Sequence, residues 1–105
     1  MSKDLEPFII NLLKGCRKND RKSQRNLYQH FYGYGLSICL RYSEQRDEAV
    51  ELLNEAFMKV FKNLKSFDIA RPFRPWLRTI IINTCINKFR KKKLRFEHGE
   101  LMENH

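Results

Sequence analysis

Proline occurs at only three positions in this chain, 7, 72 and 75, and after the last of them no helix breaker appears before Lys93. A first helical turn tolerates proline, because the missing N–H would have no partner there in any case, so Pro75 opens one long helix rather than interrupting it. At about 100° per residue, Trp76, Thr79, Asn83, Asn87 and Arg90 fall on one stripe of that helix. Leu77, Ile80, Ile81, Ile82, Cys85, Ile86 and Phe89 fill most of the remaining circumference. The pattern predicts a largely buried helix with a single polar strip. Amides in such a strip both donate and accept hydrogen bonds, which suits base edges, and the run from Arg90 to Lys93 puts phosphate-neutralising charge beside them. A simpler reading fits the same pattern: a core helix with a solvated edge and a basic end favoured by the helix dipole.

Charge sharpens the choice. The 105 residues carry a net charge of +9. Lys65 to Arg95 holds ten basic side chains against Asp68 alone, a local charge of +9, so the rest of the chain cancels. That segment is an electrostatic footprint for a polyanion. Ser43 to Glu55 has the opposite sign: Glu44, Asp47, Glu48, Glu51 and Glu55 stand against Arg46, a balance of −4. One end of the chain is suited to nucleic acid, the other to a different partner. The length allows one domain with a real hydrophobic core but not two full-sized domains.

The three cysteines, 16, 39 and 85, are far apart and lie within apolar helical patterns, so they read as small core residues in a reducing compartment. His30, His98 and His105 make no ligand spacing with them, and no metal or other cofactor is expected. There is no nucleophile-base pair and no glycine-rich phosphate loop, so the chain is not expected to be an enzyme. The N-terminus lacks a signal-peptide apolar region and the longest aliphatic run is Ile80 to Ile82, which predicts a cytoplasmic protein without membrane insertion.

Helical periodicity accounts for the remainder. A short amphipathic helix is expected from Asp4 to Arg17, with Phe8, Ile9, Leu12, Leu13 and Cys16 inward. A second, capped by Asp20 or Ser23, is expected to run to about Tyr42 with Leu27, Tyr28, Phe31, Tyr34 or Gly35, Ile38 and Cys39 on its core face. Gly33 and Gly35 each cost roughly 1 kcal/mol there relative to alanine, which close approach of a neighbouring helix would offset; a local kink without functional meaning is the alternative. A third, starting at Ser43 or Asp47 and lasting to about Lys65, buries Val50, Leu53, Phe57, Val60, Phe61 and Leu64. Opposite them Glu48, Glu51 and Glu55 form one acidic stripe flanked by Asp47 and Asn54, with Leu52 exposed at its border; an acidic face with an exposed leucine points to partner docking. Helix-dipole stabilisation explains part of the same bias. Between Ser66 and Arg74 lies a loop, stiffened by Pro72 within it and Pro75 just after it, in which Phe67 and Phe73 alternate with Arg71 and Arg74. Cations and rings so interleaved bind single-stranded nucleic acid, and a loop that plugs the core is the simpler alternative. The domain is expected to span 1–95, with a polar, mobile tail or linker over 96–105.

The order acidic helix, aromatic loop, basic helix, written here as DEAVELLNEAFMKVFKNLKSFD followed by PFRPWLRTIIINTCINKFRKKK, resembles region 2 of bacterial sigma-70 family transcription initiation factors, most nearly the extracytoplasmic-function (ECF) group. The resemblance runs from Leu27 to Lys93. It implies an all-α, compact bundle of about four helices that docks on core RNA polymerase, at the beta-prime clamp helices, through Glu48, Glu51, Leu52, Asn54 and Glu55. It further implies recognition and melting of the promoter minus-10 element by capture of flipped non-template bases, with Phe67, Arg71, Phe73 and Arg74 in the loop and Trp76, Asn83, Asn87, Arg90 and Lys91 on the last helix as DNA-binding residues. Trp76 and Leu77 match the family's Trp-Leu pair, which serves equally to anchor the helix. Asn54 stands for a glutamine, Phe61 for a frequent tryptophan and Asn87 for a common aspartate. An anti-sigma factor is a possible further partner. Complete ECF factors carry a second, minus-35-binding domain, and the chain stops before one is built, which favours a first domain taken from a longer protein. Two other functions stay open at this point: a small helical regulator that reads duplex DNA, and a protein-interaction module whose basic helix is held by an acidic inhibitor.

Overall fold

The computed structural model describes residues 7–103, with side chains as far as Glu97. Four α-helices follow in order: α1 (Pro7–Arg17), α2 (Arg21–Cys39), α3 (Arg46–Asn63) and α4 (Phe73–Glu103), with one 3-10 turn (Leu64–Ser66) after α3. This is the expected all-α bundle, and no strand occurs among the described residues. The part of the first helix expected from Asp4 to Glu6 lies outside them. Asp20 caps α2, its carboxylate accepting from the Ser23 N–H at 3.0 Å and from the Ser23 hydroxyl at 2.6 Å. Both hydrogen bonds, the hydroxyl's first, hold the Asp20 carboxyl below its usual pKa. No described helix is long and apolar enough to cross a membrane.

α2 and α3 pack against α4, and α1 packs on α2 and the 3-10 turn. Leu27 and Phe31 from α2, Leu53 and Phe57 from α3, and Phe73, Leu77 and Ile81 from α4 are all essentially solvent-free. Close approach does account for Gly35: a methyl group there would sit 2.5 Å from Leu53 Cδ1 and 3.3 Å from Ile81 Cδ1. Gly33 has open space instead, and no close approach offsets its helix penalty. All three thiols are buried, Cys39 facing Cys85 with their sulfurs 3.8 Å apart. Burial pushes Cys39 up to about 12 and Cys16 up to about 11, so both remain neutral core residues near neutrality.

Three expectations need correction. The core face of α3 is centred on Ala49, Leu53, Ala56 and Val60 and takes in Leu52, which is only 3% exposed. Val50 and Phe61 are merely half-buried. The reason is helix packing: small residues sit where two axes come closest, and leaving the alanines out of the apolar set turns the inferred face away from Leu52. Second, α4 is not largely buried. Leu77, Ile81, Thr84 and Cys85 form its inner face, Ile80, Ile82 and Ile86 are half-buried, and Phe89 is 61% exposed. From Asn87 to Glu97 every side chain is exposed, although Lys88, Phe89 and Lys92 still skirt the start of α3. Third, the tail expected from Phe96 is helical as far as Glu103. Lysine, leucine, arginine and glutamate favour helix, and no glycine or proline intervenes before Gly99.

Candidate nucleic-acid pocket and acidic face

The loop after α3 folds back on the start of α4 and leaves a hollow of about 600 Å³ between them. Asp68 shapes the loop: its carbonyl accepts from the Arg71 N–H at 2.9 Å and its carboxylate from the Ala70 N–H at 3.0 Å, closing a tight turn. Phe67 and Trp76 form the aromatic wall, their ring centroids 4.7 Å apart, with Pro72 and Pro75 along the side. Ser66, Asp68, Arg71 and Thr79 supply polar groups around the opening. Arg71 reaches into solvent, 3.9 Å from Asp68 in a pair too exposed to hold it in place. Its cation is therefore available beside an aromatic wall.

The DNA-binding residues expected from the resemblance separate into three groups here. Phe67, Arg71 and Trp76 line the pocket. Asn83, Asn87, Arg90 and Lys91 are exposed further along α4, continuing the stripe that begins with Trp76 and Thr79 over roughly 20 Å at about 1.5 Å per residue. Phe73 and Arg74 do not face the hollow. Phe73 has no exposed surface and packs beneath Phe67 and Trp76, 5.7 Å from each ring, and against Phe31 at 5.2 Å. The Arg74 guanidinium lies over the rings of Tyr34, at 4.5 Å, and Phe31, at 5.4 Å, so it is turned toward α2. These two residues brace the pocket rather than line it. Ser66, Asp68, Pro72 and Pro75 were not among the expected site residues, although the prolines and the aspartate signal the loop that makes the hollow.

On α3, Glu51 and Asn54 are exposed while Glu48 and Glu55 are partly covered. Glu48 receives the Glu44 N–H at 3.2 Å and pairs with Lys92 of α4 at 3.4 Å. Glu55 lies 3.7 Å from Lys59, whose ammonium also donates to the buried Thr84 hydroxyl at 3.3 Å. Asn54 accepts from the Tyr28 hydroxyl at 2.6 Å. Leu52 does not protrude among these groups. It forms the floor of a smaller hollow of about 180 Å³ with Cys85 and Phe89, rimmed by Glu48 and Lys92. The acidic face is therefore polar at its surface, with leucine beneath.

Comparison with known proteins converges on one family. The sigma-70 region 2 family model matches residues 27–95. The ECF RNA polymerase sigma factor SigW of Bacillus subtilis is 32% identical over 89 residues, covering 85% of this chain and 48% of that protein. RNA polymerase sigma factor YlaC of the same organism is 30% identical over 84 residues, covering 80% and 48%. The chain thus spans about half the length of these curated relatives. An engineered region 2 of sigmaE, solved by NMR in complex with GTAAAA, superposes with a TM-score of 0.77 at 32% identity, covering 92% of this chain and 99% of that one. The matched segment takes in most of α2, all of α3 and most of α4, and the chain belongs to the sigma-70 region 2 family, in the ECF group.

Proposed function

We propose that this domain belongs to a transcription initiation factor, docks on core RNA polymerase through the acidic face of α3, and opens promoter DNA by holding an extruded non-template base of the minus-10 element in the Phe67–Trp76 pocket. The pocket carries this reading. Its volume falls within the roughly 300 to 1,000 Å³ of typical ligand sites, and it joins two aromatic rings to an exposed arginine at the start of a basic helix. Taking a base out of a duplex costs a few kcal/mol; stacking on an aromatic side chain returns about 1 to 3 kcal/mol per base, and phosphate contacts along α4 add to that. The fold shared with a region 2 that binds GTAAAA supports the same ligand class.

For docking, Glu51 with Glu48 and Glu55 offers fixed negative charge on a rigid helix, with Asn54 beside it. Leu52 enters this reading as the support under the face, not as a protruding contact. The chemistry asks for a basic partner surface, and the beta-prime clamp helices are the proposed one. Reading of duplex DNA is disfavoured because residues 64–72 separate α3 from α4, whereas a helix-turn-helix needs a turn of three to four residues.

Core RNA polymerase, or its isolated clamp-helix fragment, should bind the native chain saturably and not a Glu51→Ala/Glu55→Ala double variant. Minus-10 non-template single strands should bind the native chain more tightly than the same sequence as duplex, with an affinity that falls as salt rises. Equal affinity for duplex would defeat the base-capture reading. Absence of polymerase binding by the folded native chain would defeat the docking one and leave the basic loop and helix as a polymerase-independent nucleic-acid site, whereas absence of oligonucleotide binding at low salt would favour an acidic inhibitor on the basic helix.

A further inference from the structure

Part of the pocket wall is held from outside the segment that matches the family. Arg17 is the last residue of α1 and precedes residues 27–95. Its half-buried side chain crosses to the 3-10 turn after α3, where Nε donates to the Leu64 carbonyl at 3.3 Å and Nη2 donates to the Phe67 carbonyl. These two carbonyls bracket the turn, which is closed by the Phe67 N–H donating to Leu64 at 3.2 Å. The Leu64 carbonyl thus accepts a second hydrogen bond, and the Phe67 carbonyl lies past the helical end, where intrahelical donors run out. A planar guanidinium presents its donors in a fixed fork, so it can satisfy two acceptors and also set their relative orientation; an ammonium on a flexible stem is a point charge that does not.

The orientation matters because Phe67 faces two ways. Its carbonyl is gripped by Arg17, and its ring stands against Trp76 and, edge-on, against Phe73 at 5.7 Å. Rotation of this one residue would change the distance between the two rings that wall the pocket. We infer that Arg17 is a positioning residue: by holding the Leu64 and Phe67 carbonyls it fixes Phe67 against Trp76 and so sets the width and sequence preference of the pocket. Its importance for ligand choice rests on the base-capture reading above; the grip on the loop does not. A role as one more attractive charge for phosphates is the alternative, and the two predict opposite behaviour for lysine at this position.

The test compares the native chain with Arg17→Lys and Arg17→Gln. Binding to a panel of single-stranded oligonucleotides that includes GTAAAA is measured across a salt series, and amide hydrogen exchange over residues 64–71 is followed by NMR. Arg17→Lys keeps the charge and is expected to lose about tenfold of the spread between the best and worst sequences, comparable to weakening one stacked base, with the salt slope unchanged. The Phe67 and Arg71 amides should exchange faster in both variants. Native-like discrimination and exchange in Arg17→Lys, with a salt slope smaller by about one only in Arg17→Gln, would overturn the inference in favour of simple charge. If the native chain binds no oligonucleotide, the base-capture reading fails by itself: faster loop exchange in Arg17→Lys still upholds the grip, and unchanged exchange overturns it. Should neither variant fold, the native chain decides, because a gripping Arg17 has a slowly exchanging Nε–H and a freely moving one does not.

Discussion

The acidic face of α3 and the pocket at the start of α4 are both candidate binding surfaces, and they are built in different ways. Glu48, Glu51 and Glu55 lie on one helix at spacings of three and four, so a single turn rule brings them together. The pocket needs the 3-10 turn, the loop and the first turns of α4, with Phe73 and Phe31 beneath and Arg17 reaching in from α1. A face carried by one helix should tolerate substitution without loss of fold. A concave site assembled from several elements should respond to changes in residues that never meet the ligand.

The largest effect that would break this contrast lies within α3 itself. Leu52→Ala removes a buried side chain between α3 and α4 and is expected to cost about 3 kcal/mol in urea unfolding, within the range for such truncations. The neighbouring Glu51→Lys should change stability by no more than about 0.5 kcal/mol while abolishing polymerase binding. If Leu52→Ala proves harmless to stability, α3 is rotated relative to the arrangement described and Leu52 returns to the docking surface.

Trp76→Ala sharpens the contrast from the other side. Loss of one stacking wall should weaken single-strand binding by about 1 to 3 kcal/mol, while affinity for the clamp-helix fragment stays at the native value. Anisotropy with a labelled oligonucleotide reads the first and titration calorimetry the second. Equal losses in both assays would mean that the two surfaces are one site.

How much of this was visible in the sequence follows from the same distinction. Helix order, the Asp20 cap, the core positions Leu27, Phe31, Leu53 and Phe57 and the acidic stripe depend on neighbours within one helix, and periodicity exposes them. Leu52 was misplaced because Ala49 and Ala56 carry little hydrophobic weight although both are fully buried and belong to the core face. Phe73 and Arg74 share the loop's alternating pattern with Phe67 and Arg71, and nothing in the residue types distinguishes the pair that lines the hollow from the pair that packs away from it, the more so because both phenylalanines are buried. Arg17 was missed for a related reason: its partners are backbone carbonyls some fifty positions away, which leave no residue-type signal. The open end of α4 was legible as good helix formers but was read through its polarity.

The two glycines of α2 offer a smaller, signed test of packing between α2 and its neighbours. Gly33→Ala, placed in open space, should stabilise by about 1 kcal/mol through helix propensity alone. At Gly35 the added methyl must displace Leu53 Cδ1 within a filled core, which costs about 1 to 3 kcal/mol and outweighs the same propensity gain. Thermal unfolding of the pair should therefore move in opposite directions, and a stabilised Gly35→Ala would show that Leu53 has room to swing away.

The smallest expected effect bears on whether the two surfaces communicate. Lys92 and Glu48 form an ion pair at 3.4 Å that joins the basic helix to the acidic face, but their side chains are 67% and 32% exposed. Such a pair contributes about 0 to 1 kcal/mol and weakens as salt rises, since each partner exchanges only part of its hydration for the other. A double-mutant cycle with Lys92→Ala and Glu48→Gln should accordingly give a coupling of about 0.5 kcal/mol or less in stability at low salt, fading toward zero at high salt. On that result each variant should alter its own surface alone, Lys92→Ala weakening oligonucleotide binding through a lost positive charge and Glu48→Gln weakening polymerase docking. A coupling that exceeds about 1 kcal/mol and survives high salt would require the pair to be shielded from water, and would make the acidic face and the basic helix parts of one responsive unit rather than two independent surfaces on a shared core.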